Sequence, residues 1–424
     1  MYIVDALKSK DKVSIRGWAA ELRDLKKVKF IVLSDKTGRA QVLLKDAKQE
    51  LNDEFSKLTK EDYIEVSGKF VENPQAMNGK ELIPDSIKII SKSEQPFPID
   101  LSGKIETGLD KRIDWRFLDM RKPQVLAVFQ LQNELIKSMV DFMHKEGFNR
   151  IFSSKIVGAP TEGGTEYFEM KYFDRKAYLA QSPQFYKELA LLSGLDKVYE
   201  IGMVYRAEPH HTSRHLCEYV SFDYEMVADS MEEVMSIEEK MLRYTFEQLN
   251  KNCKPILDMY KTKLLFPKSI PRVHFNDAVK IVEKMGIKTE PGDLTPAGER
   301  ALCEWSKKEH DSEFVFLAYF PWKHKIFYAK KKGKVDAESF DLLYRGIEIT
   351  TGGRREENPE QRAKQMKEKG LDPAQFDHLR FTKYGNPPHG GLAIGVERLT
   401  CQILGLENVR EASLTPRDPT RLTP

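Results

Sequence analysis

Gly390-Gly-Leu-Ala-Ile-Gly-Val-Glu-Arg-Leu399 is the stretch on which the fold turns. It reads as a strand dotted with glycine that runs directly into a helix near Val396. A residue without Cβ lets a backbone approach a ligand closely. Arg398 then falls in the first helical turn, where its guanidinium can stack on a base or reach a phosphate. By itself the segment also suits a plain surface helix, so its meaning depends on what the chain places around it.

Working towards the N-terminus, Phe340-Asp-Leu-Leu-Tyr-Arg-Gly-Ile-Glu-Ile-Thr-Thr-Gly-Gly-Arg-Arg355 carries two carboxylates, Asp341 and Glu348. Carboxylate and phosphate oxygens are what Mg²⁺ prefers. Arg355, after a double glycine, is placed to clamp a carboxylate. Further upstream, Tyr205-Arg-Ala-Glu208 is followed by Arg214-His215 and Glu218-Tyr219, then by Ser221-Phe-Asp-Tyr-Glu-Met226. This pattern predicts a strand, a short loop and a returning strand, and alternation puts Arg206 and Glu208 on one face. An arginine there can grip a phosphate with two parallel hydrogen bonds. Gln181-Ser-Pro-Gln-Phe-Tyr-Lys187 opens a helix after Pro183 and presents Ser182, Gln184 and Lys187. Thr161-Glu-Gly-Gly-Thr-Glu166 precedes it, and its glycine pair predicts a mobile loop. Each segment also has an ordinary structural reading: an exposed ion pair, a strand with scattered charges, a capped helix start.

The chain beyond these segments divides by pattern. The first ~95 residues read as five short strands, at Val13–Ala20, Phe30–Ser34, Ala40–Leu44, Tyr63–Gly68 and Leu82–Ile90. Asp35-Lys-Thr-Gly38 is a turn, and one helix lies near Lys48–Leu58, between the third and fourth strands. That order suits an OB-type barrel over residues 1–92. Ser93-Glu-Gln-Pro-Phe-Pro-Ile-Asp100 opens a linker, 93–115. From 116 to 424 helices alternate with strand-like runs. Val125–His144 and Met231–Leu249 are helical, and Val198–Tyr205, Ser221–Met226, Phe314–Phe320, Ser339–Tyr344 and Gly390–Ile394 are strand candidates.

The 424 residues carry a net charge of only +3, so nucleic-acid contact must come from local patches. Four scattered cysteines with no CxxC pair argue against a cysteine zinc site and for free thiols in a reducing compartment. With no long apolar run, neither a signal peptide nor a membrane span is expected, and a cytoplasmic location is.

The order of these segments resembles a class II aminoacyl-tRNA synthetase over nearly the whole chain. Tyr-Arg-Ala-Glu and Gly-Val-Glu-Arg-Leu resemble the second and third class II motifs. Gln-Ser-Pro-Gln-Phe-Tyr-Lys resembles the aspartate-binding segment of the archaeal and eukaryotic type of aspartyl-tRNA synthetase, as does the ending Pro416-Arg-Asp-Pro-Thr-Arg-Leu-Thr-Pro424. The resemblance implies an α+β protein: an OB-fold barrel for the anticodon, then a catalytic domain on an antiparallel sheet flanked by helices. It implies activation of L-aspartate with ATP and Mg²⁺, then transfer to the 3′ end of tRNA(Asp), with tRNA(Asn) left open as a second acceptor.

By that similarity Arg206 binds the α-phosphate, Glu208 the adenine amino group, and Tyr219 and Arg398 sandwich the ring. His215 meets the γ-phosphate with Arg214 nearby, and Asp341 and Glu348 hold Mg²⁺. Arg206, Glu348 and Arg398 form the catalytic set. Lys187 and Arg355 take the aspartate side chain, while Ser182, Gln184 and Asp223 take its ammonium group. Glu162 and Thr351 complete that pocket, and the loop around Glu162 closes over it. Asparagine, lacking the charge, would leave both cations unpaired and be rejected. In the barrel Phe30 stacks on the middle anticodon base and Gln41 reads it, with Arg23, Lys26, Lys27 and Lys29 alongside for phosphates. Gly147-Phe-Asn-Arg-Ile-Phe-Ser-Ser-Lys-Ile156 resembles the first motif, which implies a homodimer, although Ser154 stands where the family has proline. Asparaginyl-tRNA synthetase shares the scaffold but lacks the lysine matching Lys187. A non-translational amide-forming paralogue would have no use for Phe30 and Gln41, and a catalytically dead nucleic-acid binder none for Arg206, Glu208, Glu348 and Arg398.

Overall fold

A computed structural model describes every residue except 161, 163–165, 210, 211 and 377. The chain divides into two compact units, Met1–Thr107 and Gly108–Pro424, and the division falls inside the stretch read as a linker. Part of that stretch, Leu109–Asp114, is helical in the second unit. There Arg410 and Arg421 reach Asp110 and Asp114, so the C-terminal segment fastens this helix.

The first unit is a closed five-stranded barrel of β1 (Val13–Asp24), β2 (Val28–Asp35), β3 (Gly38–Lys45), β4 (Tyr63–Glu72) and β5 (Lys80–Ser91), in the order β1-β2-β3-β5-β4. A helix, Gln49–Ser56, joins β3 to β4. Period-two alternation explains the closure: Ile15, Ile31, Leu33, Val42, Leu44, Ile64, Val66 and Leu82 all turn inward. Gly17 is required where strands press together, because a Cβ there would lie 2.4 Å from the Ser34 carbonyl oxygen.

The second unit is built on an eight-stranded sheet. Its strands are β6 (Asn149–Arg150), β10 (Lys197–Tyr205), β11 (Glu218–Val227), β12 (Arg272–His274), β13 (Phe314–Ala318), β16 (Ser339–Tyr344), β17 (Ile347–Arg354) and β18 (His389–Gly395). They lie in the order β12-β13-β16-β17-β18-β11-β10-β6. The expected antiparallel sheet holds through its six central strands, and a parallel pair closes each end, β12 with β13 and β6 with β10. Three short strands, β7 (Ile156–Val157), β8 (Glu169–Tyr172) and β9 (Arg175–Leu179), form a separate sheet, as do β14 (Lys331–Lys332) and β15 (Asp336–Ala337).

One face of the large sheet is covered by the helices Pro123–Lys145, Met231–Asn252 and Val396–Leu404. The apolar stripe of the first, Val128, Leu131, Leu135, Met139 and Phe142, recurs every three or four residues and is buried. Each such side chain contributes about 1.5–3 kcal/mol on leaving water. Phe222, Tyr224 and Met226 of β11 enter the same core. Alternation therefore sends Ser221, Asp223 and Glu225 to the opposite face, where the site lies.

Candidate active site

Register assembles the site. Asp341 pairs with Thr351, Thr351 with Ala393, Ala393 with Asp223, and Asp223 with Glu200, so five strands contribute one row of residues on one face. Directly cross-strand residues share a face and stand about 5 Å apart. Two adjoining pockets open over this row, with volumes of about 230 and 180 Å³, and Arg206, Thr351 and Ala393 line both.

The larger pocket gathers Arg206, Glu208, Arg214, His215, Tyr219, Glu348 and Arg398. Val396–Leu404 is a helix, so Arg398 does sit in its first turn. It donates to the carbonyls of Arg214 and Glu348 at 3.3 and 3.2 Å. The Arg206 guanidinium lies 5.9 Å from the Tyr219 ring centroid. Its Nε is buried without a hydrogen-bond partner among the described residues, so a cation faces the cleft with donor capacity in hand. Tyr219 chiefly, against the effect of burial, raises the pKa of Arg206 further, with Glu162, Glu208 and Glu348 adding to it. Burial, with Arg398, Arg214 and Arg206 close by, lowers the pKa of His215 although Glu208 opposes. The fixed cations of the pocket thus disfavour protonation of this imidazole.

Sequence alternation placed Arg206 and Glu208 on a strand face, and this is corrected. β10 ends at Tyr205, where it pairs with Glu218. The Ala207 amide then donates to the Glu166 carbonyl instead of to β11. Pro209, which has no amide hydrogen, cannot resume a ladder. Both residues therefore lie beyond the last position of β10, and both line the larger pocket.

The smaller pocket gathers Glu162, Ser182, Gln184, Lys187, Asp223, Thr351 and Arg355. The helix Gln184–Leu192 carries Lys187 inward, and its side chain is 1% exposed rather than solvent-facing. Its ammonium lies 3.0 Å from Asp223 Oδ1 and 3.3 Å from Glu225 Oε2. Arg355 donates to Glu225 through Nε and a terminal nitrogen at 2.8 and 3.2 Å, and to the Gln184 amide oxygen at 3.2 Å. Burial disfavours ionisation of Glu225, but Arg355 and Lys187 hold its carboxyl below the usual range. Ser182 donates to Glu162, whose other oxygen accepts from the Tyr328 hydroxyl at 2.7 Å.

Two expectations change here. Lys187 and Arg355 converge, but they are not bare cations waiting for a substrate carboxylate, because Glu225 and Asp223 already balance them. Gln184 is likewise engaged, donating to Glu188, which Arg362 grips with two nitrogens. The sequence reading passed over Glu225, Glu188, Arg362 and Tyr328. Glu225 had a legible signal, standing two residues after Asp223 on the same strand and hence on the same face. Glu188 was legible too, one helical turn after Gln184, whereas Arg362 and Tyr328 are joined to the site only by long-range packing. Glu397, whose carboxylate accepts from the Val220 amide and fixes β11 against the last helix, was also missed. Gly391 has its reason too: a Cβ there would lie 2.3 Å from the Glu225 carboxylate.

Asp341 and Glu348 lie on neighbouring strands, β16 and β17. Burial first, then the charge of Asp341, raises the pKa of Glu348. No cluster of three or more metal-ligating side chains occurs among the described residues, so protein groups alone do not cage an ion. Two carboxylates beside a cleft lined by Arg206, Arg214 and Arg398 do fit Mg²⁺, which is commonly held by one or two carboxylates together with substrate phosphates. Thr351, expected beside the amino acid, donates to Asp341 at 2.7 Å and so stands between the two pockets. Of the glycine loop before the second pocket, Thr161, Gly163, Gly164 and Thr165 lie outside the described residues.

In the barrel, Arg23, Phe30, Val32 and Gln41 share the outward face, since Arg23 pairs with Phe30 and Val32 with Gln41. Gln41 donates to Glu81 at 3.2 Å. Lys29 does not belong to that face: as Phe30's neighbour it alternates away, and its ammonium lies over the Phe55 ring at 5.0 Å. No helix among the described residues is long and apolar enough to cross a membrane, and all four cysteines are buried and free of disulfides.

Known proteins share the sequence pattern and the fold. Residues 108–419 match the family described as tRNA synthetases class II (D, K and N), and residues 13–90 match the OB-fold nucleic acid binding domain. The chain is 40% identical to the aspartate–tRNA(Asp) ligase of Pyrococcus abyssi, covering 97% of this chain and 96% of that one. It is also 40% identical to the aspartate–tRNA(Asp/Asn) ligase of Aeropyrum pernix, over 100% and 99%. The crystal structure of Pyrococcus horikoshii asparaginyl-tRNA synthetase complexed with asparaginyl-adenylate superposes with a TM-score of 0.94 at 29% identity, covering 100% and 99% of the two chains. Aspartyl tRNA synthetase from Entamoeba histolytica gives 0.88 at 28%, covering 100% and 92%. By the match over residues 108–419 and the identity along nearly its whole length to these ligases, this chain belongs to the class II tRNA synthetases of the D, K and N family.

Proposed function

We propose that the protein is an aspartate–tRNA ligase: it condenses L-aspartate with ATP to an aspartyl-adenylate and transfers the aspartyl group to the 3′ end of tRNA(Asp). The observation that carries this reading is the convergence of Lys187 and Arg355 on Glu225, directly beside the cleft that Arg206 and Arg398 share. In the larger pocket Arg206 holds the α-phosphate, and Glu208 takes the adenine amino group between Tyr219 and Arg398. Arg214 and His215 face the γ-phosphate. Asp341 and Glu348 would hold Mg²⁺, which supplies charge neutralisation on the triphosphate when bound. Attack of a carboxylate on the α-phosphate asks mainly for alignment and charge neutralisation, which these fixed cations provide.

In the smaller pocket binding proceeds as an exchange of ion pairs. The substrate ammonium takes Asp223, which releases Lys187 from that partner. The substrate's side-chain carboxylate replaces what Lys187 has lost and completes Arg355. Asparagine makes the first exchange but not the second, so it leaves Lys187 one anion short. Rejection therefore rests on one uncompensated charge rather than two. Glu162, held by Ser182 and Tyr328, closes the ammonium side, and Thr351 fixes Asp341 against the same pocket.

Phe30 and Gln41 offer an aromatic face and an amide to an unstacked anticodon base. The relatives' names divide between tRNA(Asp) and tRNA(Asp/Asn), and tRNA(Asn) is a second acceptor under the same proposal. A homodimer, with Phe117 and Phe152 as exposed aromatic candidates for its interface, and a cytoplasmic location complete the reading. The test is aspartate-dependent ATP–pyrophosphate exchange, followed by charging of purified tRNA(Asp) and tRNA(Asn) side by side. Exchange with asparagine as efficient as with aspartate would overturn the assignment.

A further inference from the structure

Lys325 has no part in the roles assigned above, yet it reaches the carboxylate offered to the metal. It follows the short turn Trp322–His324 and lines the smaller pocket together with Lys187 and Arg206. Its ammonium lies 2.9 Å from Asp341 Oδ2 and 3.2 Å from Oδ1, and Thr351 also donates to Oδ1. The Phe320 ring centroid lies 3.5 Å from the same ammonium. Both partners are mostly buried, at 18% and 10% side-chain exposure, so water screens this pair less than a surface pair. Both oxygens of Asp341 are therefore engaged by donors from the chain itself.

We propose that Lys325 is a resident cation that keeps Asp341 from taking up a divalent metal until the nucleotide arrives, when its ammonium transfers to the triphosphate. The inference rests on the reading that Asp341 and Glu348 hold Mg²⁺. Charge balance supports it. A dication arriving without nucleotide would have to displace Lys325 from Asp341 and settle beside Arg206 and Arg398, whereas a triphosphate brings several negative charges with it. Ordered uptake would follow, with the metal entering on the nucleotide rather than ahead of it.

The test is binding of Mn²⁺, as a paramagnetic substitute for Mg²⁺, to the full chain, followed by electron paramagnetic resonance with and without ATP and in the absence of aspartate. A cation within hydrogen-bond distance of a carboxylate both occupies its oxygens and repels a second cation approaching them. Lys325→Met is therefore expected to tighten nucleotide-free Mn²⁺ binding at least about tenfold. Lys325→Arg, which keeps the charge, should bind as the unmodified protein does, and Asp341→Asn added to Lys325→Met should abolish the gain. Thermal melts check that each variant is folded, and Lys325→Gln replaces the methionine variant if that one is not. Unchanged nucleotide-free binding in a folded Lys325→Met protein would overturn the inference. If Asp341→Asn still weakened Mn²⁺ binding in the presence of ATP, the metal reading would stand without it. If Asp341→Asn altered binding under neither condition, that reading itself would fall.

Discussion

Replacing Lys187 by methionine tests the ion-pair exchange most directly. The side chain is 1% exposed, and its ammonium is shared between Asp223 and Glu225. Methionine keeps most of the volume and removes the charge. Bound aspartate would then lose one charge-assisted hydrogen bond, worth roughly 1.5–3 kcal/mol. At 1.4 kcal/mol per factor of ten, that predicts a fall of about 10- to 150-fold in kcat/KM for aspartate. Asparagine never satisfied Lys187, so its kcat/KM should fall much less and the preference for aspartate should shrink by a similar factor. The nucleotide cleft is lined by other residues, and KM for ATP should change less than about twofold. The assay is ATP–pyrophosphate exchange with each amino acid in turn. The substitution also leaves Asp223 and Glu225 with less compensation, and removing one partner of a buried pair destabilises by about 3–5 kcal/mol. Adding Glu225→Gln should recover part of that loss in urea unfolding. Equal losses for aspartate and asparagine, or a KM for ATP that rises as far as that for aspartate, would refute the exchange.

Gly391→Ala should disrupt amino-acid binding or folding, since its new Cβ would lie 2.1 Å from the Tyr224 carbonyl oxygen and 2.3 Å from Glu225 Oε2; a soluble variant with unchanged KM for aspartate would contradict this. Arg206→Ala should lower the exchange rate by at least about 10²-fold, the scale for losing one preorganised donor at a developing charge, measured at saturating ATP and aspartate. Phe30→Ala should lower kcat/KM for tRNA charging by about 5- to 150-fold, the equivalent of about 1–3 kcal/mol of stacking, while leaving exchange without tRNA unchanged. Burial beneath the sheet pushes the Glu238 carboxyl from 4.5 up to about 8. A raised folded-state pKa means that its stabilisation is complete below about 4.5 and is lost as pH rises through about 8. Urea midpoints should decline across that window in the unmodified protein and more shallowly in Glu238→Gln.

Local pattern settled the elements. The alternation of Val13–Ala20 and its four companion strands defined a barrel, because a strand with one buried face must place every second side chain inward. The stripe of Val128, Leu131, Leu135, Met139 and Phe142 defined a helix for the corresponding reason at a period of 3.6. Segment order pointed to the family, and residue types within each segment pointed to anion binding and to paired acids. What a sequence cannot carry is the charge balance of a buried site, since that depends on which distant side chains the register aligns. Lys187 and Arg355 read as free cations because Glu225 meets them only when β11, β17 and the helix Gln184–Leu192 come together. Asp341 read as an open metal ligand because Lys325 approaches it from a separate turn across the sheet. A charge pair in a low-dielectric interior is strong and its energy depends on the separation of the two groups, so the identity of the charged groups was written in the chain, and only the tertiary structure decided which of them neutralise one another.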